Sequence, residues 1–157
     1  MTDSPSTSPL TGDPLFCDLC AAVPPGTEIL TLAGALPVEA LYPGERVITR
    51  DAGAQNLLDI TRHAVPDGMR FIHVSRNALG GKPTRDLLLP ATLPVLLRDW
   101  RAQAMFGTPA ARVALSRLVD GDHLRWSDDR PEALLSLRFR REHVLYADGL
   151  EVISART

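Results

Sequence analysis

The sequence predicts an all-β domain, mainly short strands with one or two short helices, built from two related halves. Three observations lead there. Its apolar runs are only three to six residues long and are separated by Gly, Pro, Asp and Asn turns, the punctuation of a many-stranded fold. Aromatic residues make up 5% of the chain, so the core must be assembled from Leu, Val, Ile and Ala. One segment of the first half also aligns without gaps on a segment of the second, 77 residues later.

In chain order, residues 1–21 are expected to be a flexible tail. They hold Ser, Thr and Pro and few apolar side chains, too little to repay the entropy of ordering, and order is expected to begin near Pro25. Residues 22–157 then form one domain. The first strand candidate is 28–32 (Glu-Ile-Leu-Thr-Leu), followed by an Ala33-Gly34 turn, a single helical turn at 38–41, a Pro43-Gly44 turn and a strand at 46–49. Further strand candidates are 57–61, 70–75, 87–89, 95–97, 134–139 and 144–146. One helix is expected over 110–118, where Pro109 stands at its start and Val113, Leu115 and Leu118 share a face; a shorter one is expected over 102–105.

The internal match joins residues 36–47 to 113–124. Val38 pairs with Leu115, Leu41 with Leu118, Gly44 with Gly121, Glu45 with Asp122 and Val47 with Leu124. Its physical content is a helical turn, a glycine able to take positive φ, an acid and then a strand. Two such copies half a domain apart predict a pseudo-two-fold axis.

Charge and composition exclude several function classes. With 17 basic and 19 acidic residues the net charge is −2, which supplies no field to draw nucleic acid or an anionic membrane. No apolar run approaches the roughly 20 residues that span a bilayer, and the first residues lack the basic and apolar regions of a secretory signal. Cytoplasm is the default expectation, with non-classical export left open. No cofactor is expected, and the partner class that remains is another protein.

Two blocks carry a family resemblance. Pro25-Gly26-Thr27, the turn at Gly34, Val38-Glu39-Ala-Leu41-Tyr-Pro-Gly44-Glu45 and Val47-Ile-Thr49 resemble the opening block of the bacterial Hint (hedgehog/intein) domains, which reads Cys-Phe-x-x-Gly-Thr-x-Ile, then Val-Glu-x-Leu-x-x-Gly-Asp and Val-x-Thr. His143-Val-Leu-Tyr-Ala147-Asp-Gly149-Leu150 is similar to the closing block, where a histidine precedes Ala-x-Gly by four residues. The resemblance covers about residues 22–152. It implies a disk-like β fold with two related halves, and self-processing chemistry: a first-residue Cys or Ser attacks the preceding carbonyl and turns an amide into a thioester or ester. A middle-block Thr and His then polarise the carbonyl and protonate the leaving nitrogen. In splicing members a terminal His-Asn pair cuts the other end.

Aligned on these blocks, the chain lacks most of the chemistry. The nucleophile position falls on Ala22, whose methyl group cannot attack. The middle-block histidine position falls on Leu93, or on Val95 in the alternative register. The terminal pair falls on Ile153 and Ser154, and the aspartate some inteins carry near the last block falls on Ser136. His143 alone matches. The expected function is a Hint domain degenerate for self-splicing and autoproteolysis, serving as a scaffold or binding module. The alternative is cysteine-dependent cleavage of the tail through Cys20, two residues before the expected site, which needs near-attack geometry of about 3 to 3.5 Å.

The remaining residues that invite a functional reading have plainer ones. Cys17 and Cys20 form a single C-x-x-C, which with His63, His73 or His123 would make a zinc site and by itself a redox module; no second pair exists and Pro24-Pro25 opposes the helix a redox motif wants, so tail thiols are the expectation. Trp100 and Trp126 are expected to anchor the core beside the helical segment. Arg138, Arg140, Arg141 and Glu142 read as a solvated strand edge. Asp120-Gly-Asp122 looks like part of a calcium loop but lacks the ligand series that would follow.

Overall fold

The structure, a computed structural model, describes residues 19–156, with the backbone alone for Cys20, Ala155 and Arg156. A 3-10 turn at Leu19–Ala21 leads to β1 (Glu28–Thr31) and β2 (Gly34–Pro37), a second 3-10 turn at Val38–Ala40, then β3 (Arg46–Thr49) and β4 (Gly53–Asn56). Next come β5 (Asp59–His63), β6 (Phe71–Val74), β7 (Leu87–Pro90), β8 (Pro94–Leu97) and the helix α1 (Trp100–Phe106). β9 (Ala111–Ala114), a third 3-10 turn at Leu115–Leu118 and β10 (Leu124–Ser127) follow. β11 (Leu134–Phe139), β12 (Val144–Ala147), β13 (Leu150–Ile153) and the two-residue β14 (Ala155–Arg156) complete the chain.

Among the described residues these strands form three sheets. The largest runs β2-β1-β3-β12-β13-β8-β9, with β4 paired to β3; the others run β10-β6-β7 and β14-β11-β5. Side chains alternate across each strand, so β1 turns Ile29 and Thr31 inward while Glu28 faces solvent. Ile29, Val47, Val95, Leu145 and Val152 meet in one aliphatic core, and a smaller cluster gathers Ala22, Phe71 and Leu134. The all-β prediction holds.

The internal match is a structural repeat. A hairpin, a 3-10 turn and a further strand occur first as β1, β2, Val38–Ala40 and β3, and again as β8, β9, Leu115–Leu118 and β10. The hydrogen bonds repeat as well: the Val38 amide donates to the Thr27 carbonyl at 2.8 Å, and the Leu115 amide to the Leu93 carbonyl at 2.9 Å. Gly44 (φ 96°) and Gly121 (φ 80°) then turn the chain in the left-handed region, where a Cβ is disfavoured. The copies differ in one place. The β1–β2 turn is Leu32 and Ala33, whereas residues 98–110, α1 included, join β8 to β9.

Three sequence expectations need correction. Residues 110–118 are not a helix: they are β9 and a 3-10 turn, because Val113 pairs with Val95 and the chain bends at Leu115 to bury Leu115 and Leu118. The α-helix is the shorter element expected over 102–105, extended to Trp100–Phe106. The Asp99 carboxylate caps it by accepting from the Arg101 amide at 3.0 Å, and the Gly107 amide closes it on the Gln103 carbonyl. Neither tryptophan is a core anchor. Trp100 is 72% exposed at the start of α1, and Trp126 is 42% exposed with Arg70 stacked 3.9 Å from its ring centroid. Ordered structure also reaches back past Pro25, for Ala22 and Val23 are both buried. Residues 1–18, Cys17 among them, lie outside the described residues.

Candidate functional site

Both ends of the described chain converge on one strand. Val23 exchanges two backbone hydrogen bonds with Leu135 of β11, at 2.9 and 2.8 Å, in an antiparallel bridge. Further along the same strand, β14 pairs in parallel, Ala155 with Arg138 and Arg156 with Phe139. β5 occupies the opposite edge of β11. The incoming segment and the outgoing one therefore approach each other at Ser136 and Leu137. A small cleft between them is lined by Ala21, Val23, Leu135, Leu137, Ile153 and Ser154.

The opening motif clamps the incoming segment. The Gly26 amide donates to Glu39 Oε1 at 2.7 Å, and this hydrogen bond holds the Glu39 carboxyl below the ordinary carboxylate range. Thr27 Oγ1 donates to the Pro24 carbonyl at 2.8 Å. Arg85 reaches from the far side to the Gly26 carbonyl and to Asp148 Oδ1, the latter at 2.9 Å, and Asp148 Oδ2 accepts the Glu28 amide. The Gly-Thr and Val-Glu motifs thus fix the three residues between position 22 and Gly26, which is where self-processing chemistry would need rigidity.

The positions singled out in the sequence separate into three groups. Ala22 is fully buried and packs with Phe71 and Leu134. Leu93 and Val95 belong to the main core, at 0% and 1% exposure, so neither register places a polar group at the cleft. Ile153 and Ser154 do line the cleft. Ser154 is tied back, its Oγ accepting the His143 amide at 3.0 Å and its amide donating to the His143 carbonyl at 2.9 Å.

His143 is buried and its Nδ1 lies 2.9 Å from Asp51 Oδ2, while Asp51 Oδ1 accepts the Val144 amide at 2.9 Å. Burial pushes the Asp51 carboxyl up, but the Val144 amide and the His143 ring outweigh it and hold the group below its ordinary value. The phenyl ring of Phe139 meets the imidazole edge to face. In this arrangement His143 locks β12 to the β3–β4 turn.

The histidines named as zinc partners are dispersed. His63 Nε2 is 2.9 Å from Ser136 Oγ, His73 Nε2 is 3.5 Å from Asp86 and His123 Nε2 is 3.8 Å from Asp122. Of Cys20 only the backbone is described, in the Leu19–Ala21 turn. The Asp120 carboxylate caps its own loop by accepting from the Asp122 and Leu124 amides. Sequence reasoning missed the Ser136–His63 pair and the role of Asp51, since both join strands or turns far apart in the chain.

The described chain is thus a β domain of two related halves whose incoming and outgoing segments meet on one strand. The Hint domain profile matches residues 21–157, and the chain belongs to that family. Its fold is similar to the bacterial intein-like domain from Clostridium thermocellum (16% identity, TM-score 0.59, 85% of this chain and 97% of that one). It is also similar to the gp41-1 intein (12% identity, TM-score 0.53, 85% of this chain and 97% of that one). At these identities the likeness concerns the fold alone. No curated protein matches the chain in sequence.

Proposed function

We propose that this chain is a Hint domain that has lost self-processing and acts as a protein-binding scaffold. The observation that carries the reading is the buried methyl group of Ala22 at the nucleophile position, held by an otherwise intact clamp. Leu93 in the core and His143 engaged by Asp51 support it, because no imidazole stands at the middle-block position. Acyl shift requires a nucleophile whose proton can be taken up, and an alanine supplies none.

The test is intact mass spectrometry of the full chain carrying an N-terminal tag, followed over days with and without dithiothreitol. The expected result is an uncut chain of unchanged mass. A cut ahead of Cys20 under dithiothreitol would establish cysteine-dependent self-cleavage instead. A stoichiometric zinc adduct under native conditions would point to the Cys17 and Cys20 module.

A further inference from the structure

We propose that Ser136 and His63 form a proton relay facing residue 22, so that the acyl shift at this position lacks its nucleophile and not its base. The proposal rests on the reading of the chain as a Hint domain without a nucleophile.

The antiparallel Val23–Leu135 bridge sets Ala22 across from Ser136. Strand side chains alternate, so Ser136 shares a face of β11 with Leu134, opposite to Leu135 and Leu137. Ala22 shares one buried cluster with Phe71 and Leu134, in keeping with a methyl group on that same face. Cross-strand neighbours hold their Cβ atoms about 4.5 to 5.5 Å apart. A thiol or hydroxyl at position 22 therefore falls within hydrogen-bonding reach of Ser136 Oγ, and that oxygen already lies 2.9 Å from His63 Nε2. His63 comes from β5, on the other edge of β11, where it pairs with Leu134. Ser136 is only 3% exposed, and a hydroxyl so buried is costly unless bonded; His63 is its partner. A hydroxyl bonded to an imidazole at this distance is the arrangement that moves a proton off a nucleophile.

With a thiol at position 22 the step balances as follows. The thiol proton passes to Ser136 Oγ as Ser136 gives its own to His63 Nε2, and the sulfur bonds to the Ala21 carbonyl carbon. The carbon–nitrogen bond to residue 22 breaks, and its nitrogen takes the proton back from the imidazolium through Ser136. The product is a thioester beside a free amine, with no net proton change. Added hydroxylamine cleaves it, releasing residues 1–21 as the hydroxamate.

The experiment follows the full chain by intact mass in hydroxylamine. It compares wild type with Ala22→Cys alone and with Ala22→Cys combined with His63→Ala, Ser136→Ala or Ser136→Thr, each checked for folding by thermal unfolding. Ala22→Cys is expected to yield the 22–157 fragment. Loss of the imidazole or of the hydroxyl should slow this by about a hundredfold, as expected for general acid–base catalysis, while Ser136→Thr restores it. A folded Ala22→Cys chain that stays intact, or that reacts equally fast without His63, overturns the proposal. If Ala22→Cys does not fold, Ala22→Ser is read by the same criteria. Cleavage of wild type would instead overturn the underlying reading of a missing nucleophile.

Discussion

His143 shows how a single side chain can keep a family position while doing structural work. Its ring nitrogen is bonded to Asp51, and its backbone is paired to Ser154. Asp51 has a depressed pKa, so its stabilising effect is complete above the ordinary carboxylate value of about 3.9 and is lost as pH falls through the lower folded value. Asp51→Asn should therefore flatten the loss of stability on the acid side. Urea midpoints measured from about pH 6 down to pH 2.5 should fall more steeply for wild type than for the variant; parallel curves would remove Asp51 from the account. His143 was legible in the sequence because of the Ala-x-Gly segment that follows it. Asp51 was not, being 92 residues away and joined to it only by the pairing of β12 with β3. The same distance problem hid the bond between His63 and Ser136, which were noticed separately, one as a possible metal ligand and the other as a lost aspartate.

At the level of elements, the repeat was a better guide than local periodicity. Over 110–118 the spacing of Val113, Leu115 and Leu118 suggests a helix, yet the aligned first copy is a strand and a 3-10 turn, and the second copy folds the same way. Strands that are apolar and buried along most of their length, such as β11, are visible in the sequence, whereas β4 (Gly-Ala-Gln-Asn) has no apolar face to betray it. Its pairing with β3 is what makes it a strand. The repeat also predicts equal consequences at its two glycines. Gly44 and Gly121 have φ of 96° and 80° with nothing within 4 Å of an added Cβ, so the cost of a side chain is conformational rather than steric. Gly44→Ala and Gly121→Ala should each cost about 1 to 2 kcal/mol, read from chemical denaturation. A large cost at one site and none at the other would show that the two turns are not equivalent.

For the whole molecule, the meeting of both ends of the described chain on β11 governs how the domain can be rewired. Val23 sits opposite Leu135 and Arg156 opposite Phe139, four residues apart on one strand, or about 13 Å at the rise of a strand. A flexible linker of roughly ten residues covers such a gap. A circular permutant joining residue 156 to residue 19 through that linker, opened between the exposed Asp128 and Asp129, should fold with a wild-type circular dichroism spectrum and cooperative unfolding. Failure to fold would mean that the two segments reach β11 only when their ends are free. This closure was not legible in the sequence, since no local pattern says where two termini lie.

The same convergence determines how the protein would bear tension. A pull applied between residues 19 and 156 enters through Val23 and β14, both seated on one edge of β11, and need not pass through the broad sheet that holds the main core. The load falls on one bridge and a two-residue strand. The domain should thus part first at that seam, opening the cleft beside Val23 and Leu135 while the two related halves stay folded.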